Sequence, residues 1–228
     1  MKLGFYSFEN YSVVGPNSGP NQMALFAGVP LLGRDVASMA NTSNATWLWD
    51  ELRALGYTTL KAEDGCVSNS NMMQSVNPKV DHGSEVAQLF CKGFGRPNCI
   101  GGKLAAAHLT DYAQHFISSA SGVLRGGVRT AAAHPKPWAA FLSFIDTHED
   151  TMVLGTVLDP VLERFLEKFA ASGHLETTAT LVLSDHGLHY GPCIPSWVLN
   201  SGIADPPQSA THMHVPPDER DRLPHGCW

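Results

Sequence analysis

An α/β fold with a mostly parallel sheet is what this sequence predicts, and three observations carry the prediction. Trp138-Ala-Ala-Phe-Leu-Ser-Phe-Ile is a continuous apolar run, the pattern of a strand buried on both faces of a covered sheet. Leu158, Val161, Leu162, Phe165, Leu166 and Phe169 then fall at helical spacing and mark an amphipathic helix, followed by a second core strand, Ala179-Thr-Leu-Val-Leu-Ser. Earlier, a helix over Trp47–Leu55 stops at Gly56 and leads into β-branched Tyr57-Thr-Thr-Leu. That helix–Gly–strand order is the return half of an α/β unit.

The remaining elements follow in order. Leu3-Gly-Phe-Tyr-Ser-Phe reads as a short strand, and Gln22-Met-Ala-Leu-Phe-Ala as helix, closed by Gly28. Thr46 is placed to cap the helix that follows it. Residues 64–103, rich in Gly, Asn, Ser and Pro, predict a surface excursion. A helix over about 104–118 sets Leu104, His108, Tyr112, His115 and Phe116 on one face. Its histidines read as structural, because no carboxylate completes a ligand spacing. Pro160 fits the first turn of its helix if Asp159 is the cap, and kinks the helix if it starts earlier. Residues 192–228 hold seven prolines and no periodic apolar pattern. The chain thus divides into one α/β domain over 1–191 and an irregular tail over 192–228.

Composition excludes several classes. With 228 residues, 43 % hydrophobic and 16 % charged, the chain has the makings of one globular core. A net charge of −6 with no Lys/Arg cluster leaves nucleic acid without an electrostatic footprint. No apolar run reaches the ~18 residues of a membrane span. Of the five cysteines, Cys91 and Cys99 flank a turn-rich loop; a disulfide and two free thiols both fit. Asn10-Tyr-Ser, Asn41-Thr-Ser and Asn44-Ala-Thr are sequons that favour the secretory pathway.

Two segments carry chemistry. In Ser184-Asp-His-Gly, Asp185 and His186 follow the predicted second core strand. The end of such a strand faces the crevice where open α/β sheets bind ligands. A carboxylate oxygen and a neutral imidazole nitrogen suit a divalent ion such as zinc, manganese or calcium. Pro16-Asn-Ser-Gly-Pro-Asn sets Ser18 in a turn before a helix, at the positive end of its dipole, where an anion is welcomed. A hydroxyl held there beside a metal ion becomes a nucleophile for phosphoryl or sulfuryl transfer. The plainer alternatives are a structural turn at Asp185–His186 and an N-cap at Ser18 or Asn21.

Together these segments resemble the alkaline-phosphatase/sulfatase superfamily. Ser18-Gly-Pro-Asn with Gly28 ten residues on resembles the Thr-x-Pro-Asn nucleophile segment of nucleotide pyrophosphatases and the Cys-x-Pro-Ser-Arg segment of sulfatases. Leu55-Gly-Tyr-Thr-Thr resembles the sulfatase Gly-Tyr-x-Thr strand, and Phe141-Leu-Ser-Phe-Ile-Asp-Thr-His resembles the strand that ends in a substrate-facing His. The likeness covers about residues 5–191 and is closest to the sulfatase-like DUF229 proteins, where Glu63-Asp-Gly-Cys and Cys99-Ile-Gly-Gly also have look-alikes.

The resemblance implies a three-layer α/β/α sandwich of alkaline-phosphatase type. It implies Ser18 as nucleophile, Asp185 and His186 as metal ligands and His148 as a substrate contact, with Asp146 a weaker candidate for a second acidic ligand. The substrate implied is a small-molecule or glycan-linked phosphate or sulfate ester. Departures are informative. Ser18 stands where sulfatases have Cys and Gln22 where they have Arg, which favours a Ser nucleophile over formylglycine. Family members carry an acidic ligand on a strand upstream of the nucleophile; seventeen residues precede Ser18, with Glu9 the sole carboxylate, so that strand is expected to be missing. A non-catalytic, truncated or degenerate member of the fold is the rival expectation.

Overall fold

A computed structural model describes residues 6, 8, 12–14, 18–29, 45–65, 79–84, 98–122, 135–147 and 153–186. Its elements in chain order are α1 (Ser18–Ala27), α2 (Leu48–Ala54), β1 (Thr58–Glu63), β2 (His82–Ser84), β3 (Cys99–Ile100), β4 (Lys103–Leu104), α3 (Ala105–Ser121), β5 (Trp138–Ser143) and α4 (Val153–Ala171), followed by a 3-10 turn, His174–Glu176. The chain forms two compact units. One contains Trp47–Leu181, and the other joins Gly4–Thr46 to Val182–Trp228.

The first unit is α/β, built on a parallel three-stranded sheet in the order β2-β1-β5. β1 and β5 run in register from Thr58 opposite Trp138 to Glu63 opposite Ser143. Side chains alternate across a sheet, so Leu60 and Ala62 of β1 face the same way as Trp138, Ala140 and Leu142 of β5. Against them pack Leu109, Ala113, Phe116 and Ile117 of α3 and Phe169 of α4. Phe141 belongs to the opposite face, and its ring meets Trp49 of α2 at 6.2 Å. Each large apolar side chain buried in this way contributes about 1.5–3 kcal/mol.

Polar side chains complete the sheet where the backbone ladder stops. Fully buried Thr59 donates from its backbone N–H and its hydroxyl to Asp81 Oδ2, at 2.9 and 2.8 Å, just before β2. These hydrogen bonds favour the charged carboxylate and hold Asp81 below its usual range. Asp64, with no exposed surface, follows β1 and accepts the Ile145 N–H on Oδ1 at 2.8 Å. Its own N–H donates to the Ser143 carbonyl. The first carboxylate of the Glu63-Asp-Gly-Cys motif therefore has a neighbour that ties the ends of β1 and β5 together.

Several boundaries differ from the sequence reading. α1 begins at Ser18 rather than after it, with Pro20 tolerated in the first turn. α2 is preceded by Trp47 with no side-chain cap, so Thr46 does not cap it. α4 starts at Val153, which makes Pro160 interior and Asp159 an ordinary helical residue. β2, in the predicted excursion, joins the sheet despite its strand-poor His-Gly-Ser sequence. The larger difference is Ala179–Ser184, which forms no strand. Leu181 and Val182 are 71 % and 70 % exposed. An apolar run becomes a strand only where a neighbour takes its N–H and C=O groups, and no strand among the described residues pairs with this one. Leu3–Phe8 as a strand and the tail from 192 onward fall outside the described residues. Cys99 is an exposed free thiol; Cys91 lies outside the described residues. Among the described residues no helix is long and apolar enough to cross a membrane.

Gly173, at φ 76°, ends α4 in the left-handed conformation that favours glycine. It delivers His174 into a pocket made by Trp138 and Phe169, ring centroids 6.3 and 5.1 Å away. His174 is only 5 % exposed and its Nε2 has no hydrogen-bond partner among the described residues. Burial lowers its pKa from 6.5, because the charged ring would lose its water. The unfolded chain then takes up the proton first as pH falls. Stability is therefore full above about pH 6.5 and declines below it until the buried ring is itself protonated. Thermal melts from pH 8 to pH 5 are expected to show this decline, and His174→Phe is expected to flatten it.

Candidate active site

The second unit holds the residues the sequence singled out. α1 presents Ser18 in its first turn and Gln22 four residues on, so both project from the same side of the helix. Asn21 between them is buried, and its Oδ1 accepts the Val14 N–H at 2.8 Å, which ties the preceding segment down onto α1. Its neighbours Gly19, Pro20 and Met23 are also buried, so the start of the helix is packed rather than frayed. The N-terminal turn is the electropositive end of the helix dipole.

Facing α1 is the turn Ser184–His186. Ser184 Oγ donates to the His186 carbonyl at 2.5 Å, closing a local turn of the kind Ser favours. Asp185 and His186 project from that turn. Ser18 Oγ and His186 Nε2 lie 3.1 Å apart, although 168 positions separate them in sequence. With His186 protonated on Nδ1, the Ser18 hydroxyl donates to Nε2. Asp185 Oδ2 accepts from Gln22 Nε2 at 3.3 Å, and Asp185 Oδ1 stands 3.9 Å from His186 Nε2. The His186 side chain is 9 % exposed and that of Asp185 29 %, so the imidazole is enclosed while the carboxylate keeps an open side.

The chemistry of these donors is compatible with a small divalent ion. Two ligands of one tetrahedral ion lie about 3.3 Å apart when each bond is about 2.0–2.1 Å. Ser18 Oγ and His186 Nε2 are close to that distance at 3.1 Å, and Asp185 Oδ1, 3.9 Å from Nε2, stands about 0.6 Å beyond it. One hydroxyl oxygen, one imidazole nitrogen and one carboxylate oxygen are ligands that zinc and manganese accept. Among the described residues no group of three or more His, Cys, Asp or Glu side chains converges on one point, so the Ser18 oxygen would be the third protein donor.

The remaining candidates are elsewhere. His148 lies outside the described residues. Asp146 is buried in the turn after β5, in the first unit. His108, set aside from the sequence as structural, is placed by its Nε2 at 2.9 Å from the Ile100 carbonyl, across the short β3–β4 hairpin. Gln22 escaped the sequence reading as a site residue. Its signal was present: a polar side chain four residues after Ser18 on the same helix must point where Ser18 points.

The family model described as "Protein of unknown function (DUF229)" matches residues 1–227. No curated protein and no solved structure matches the chain.

A melting temperature that rises when zinc or manganese is added to the chelated protein is the expected signature of the donor set. Asp185→Asn and His186→Ala are each expected to remove most of that rise. Ser18→Ala, which deletes a neutral donor, is expected to keep most of it.

Proposed function

This chain belongs to the DUF229 family, and from that premise we propose that it is a metal-dependent hydrolase or transferase of phosphate or sulfate esters, with Ser18 as nucleophile. The observation that carries the reading is the 3.1 Å approach of Ser18 Oγ to His186 Nε2. A serine in the first turn of a helix, beside an imidazole and a carboxylate, is how an ester-cleaving hydroxyl is held. On this reading the α/β core is part of a three-layer sandwich of the alkaline-phosphatase/sulfatase type. Helices on both faces of β1 and β5 support that placement.

Asp185 and His186 would hold the divalent ion, with Ser18 Oγ beside it. Such an ion supplies positive charge that makes the hydroxyl easier to ionise and offsets charge on the ester. Before an ion binds, His186 Nε2 accepts the Ser18 hydroxyl at 3.1 Å, which holds that oxygen beside the imidazole. The positive end of the α1 dipole would favour the negative ester oxygens beside Ser18. Ser18 Oγ bonds to phosphorus or sulfur as the bond to the leaving oxygen breaks. The hydroxyl proton goes to solvent, and the departing alkoxide takes one from water. A water molecule, or an acceptor alcohol in the transferase case, then releases the seryl ester and restores Ser18. Small-molecule or glycan-linked esters met in the secretory pathway are the substrates this reading favours.

A second reading is favoured by the charge of the donor set. One carboxylate offers a single negative charge to a doubly charged ion, and a weakly held ion activates a hydroxyl poorly. A non-catalytic member of the family would keep the same packing around Ser18 without turnover. The two readings separate in an assay of generic aryl phosphate and aryl sulfate esters with added zinc or manganese. The expected result is slow, metal-dependent turnover that falls at least about a hundredfold in Ser18→Ala. A protein that circular dichroism shows to be folded, and that turns over neither ester, sinks the hydrolase reading.

A further inference from the structure

We infer that Gln22 is the positioning residue of Asp185, orienting its carboxylate for a divalent cation without neutralising it; the inference rests on the reading of Asp185 and His186 as a metal site. The two oxygens of Asp185 have different surroundings. Oδ2 accepts from Gln22 Nε2 at 3.3 Å, while Oδ1 is the oxygen near His186 Nε2, at 3.9 Å. One oxygen is therefore engaged by the helix and the other stands nearer the imidazole of His186. A carboxylate with neither oxygen held rotates freely about its last bond, and such rotation must be frozen when an ion binds.

The burial pattern supports the same assignment. Gln22 is 9 % exposed, on the packed side of α1 with Asn21 and Met23, and its stem is held by that packing. The partner it reaches is the more open of the two, with Asp185 at 29 %. The rigid helix therefore sets the position of the loop residue. The chemical type of the donor matters as well. An amide hydrogen-bonds to a carboxylate and leaves its full charge available. An arginine or lysine in the same place would pair with that charge and repel a second cation. Hydrogen-bond partners of metal-ligating carboxylates typically control about 10–100-fold in metal affinity.

The test titrates manganese chloride and zinc chloride into the full chain by calorimetry, with Gln22→Met and Gln22→Arg beside the wild type. Gln22→Met keeps the length and loses the donor, and is expected to weaken manganese binding by about 10–100-fold. Gln22→Arg keeps a donor but adds charge, and is expected to weaken it at least as much. Wild-type affinity in a folded Gln22→Met variant overturns the assignment, since a role in packing alone predicts that result. A second arm needs no metal. The side-chain NH₂ resonances of Gln22 in the chelated wild-type protein are expected to shift in Asp185→Asn, and resonances that stay in place overturn the assignment. This arm also decides the matter if Gln22→Met fails to fold. If the wild type binds neither ion, the metal-site reading fails, and the resonance arm still decides whether Gln22 holds Asp185.

Discussion

The parallel pairing of β1 with β5 is the constraint on which the first unit depends. Six residues of each strand are matched in register, and a slip of one would exchange the two faces of either strand. Leu60 and Ala62 would leave the α3–α4 side, and Lys61, which pairs with Glu63 at 2.9 Å, would enter it. Two carboxylates secure the pairing where backbone hydrogen bonds end. Asp81 holds Thr59 near the start of β1, and Asp64 holds Ile145 beyond the end of β5. Asp64 is fully buried, which is acceptable because the Ile145 N–H meets its carboxylate, whereas Asp81 stays exposed. The alternation that follows brings Trp138, Phe169 and His174 together, so the one buried histidine of this packing is a consequence of strand register.

The elements legible in the sequence were those whose evidence is local. β5 and α4 announce themselves through a continuous apolar run and a helical period, and both exist where they were expected. The end of α2 at Gly56 and the onset of β1 were equally readable, since glycine at φ 86° stops the helix by itself. β2 was not readable, because His-Gly-Ser has no strand propensity and is held by what lies beside it: three residues of β1 and the Asp81–Thr59 hydrogen bonds. Ala179–Ser184 is the converse case. It has the composition of a core strand without a paired strand among the described residues, and composition alone does not make a ladder. Pro160 shows a third kind of limit. The sequence left Pro160 either in the first turn of its helix or inside a helix that starts earlier, and the structure has the second, seven residues inside α4, where Leu158 and Val161 beside it are packed in an apolar cluster.

The site was legible in half. Ser18, Asp185 and His186 were chosen for their chemistry and their place in a familiar order of motifs, and the fold brings Ser18 and His186 into contact. Gln22 was noted only for what it replaces, because sequence order says which residues are present and not which oxygen of a distant aspartate needs a donor. That requirement becomes visible when α1 and the Ser184–His186 turn are seen together. His148 has a sequence argument alone, so the candidate site holds Ser18, Gln22, Asp185 and His186, and the far oxygens of the proposed ester have no side chain assigned to them.

The arrangement of the four residues has a consequence of its own. Ser18 and Gln22 are one helical turn apart, about 6 Å along the axis, whereas Asp185 and His186 are consecutive. Two contacts between such unlike spacings are met at once only when the turn lies along the helix at one angle and one offset. A displacement that breaks the Ser18–His186 contact also strains the Gln22–Asp185 bond, so the two are lost or kept together. An ion held by Asp185, His186 and Ser18 would then bind to the docked arrangement and not to the separated segments, and its binding free energy would appear as stabilisation of the docking itself. Formation of the nucleophile's setting and capture of the ion are therefore one event. On the proposed reading, the hydroxyl would be placed for attack only when the charge that activates it has a place to bind.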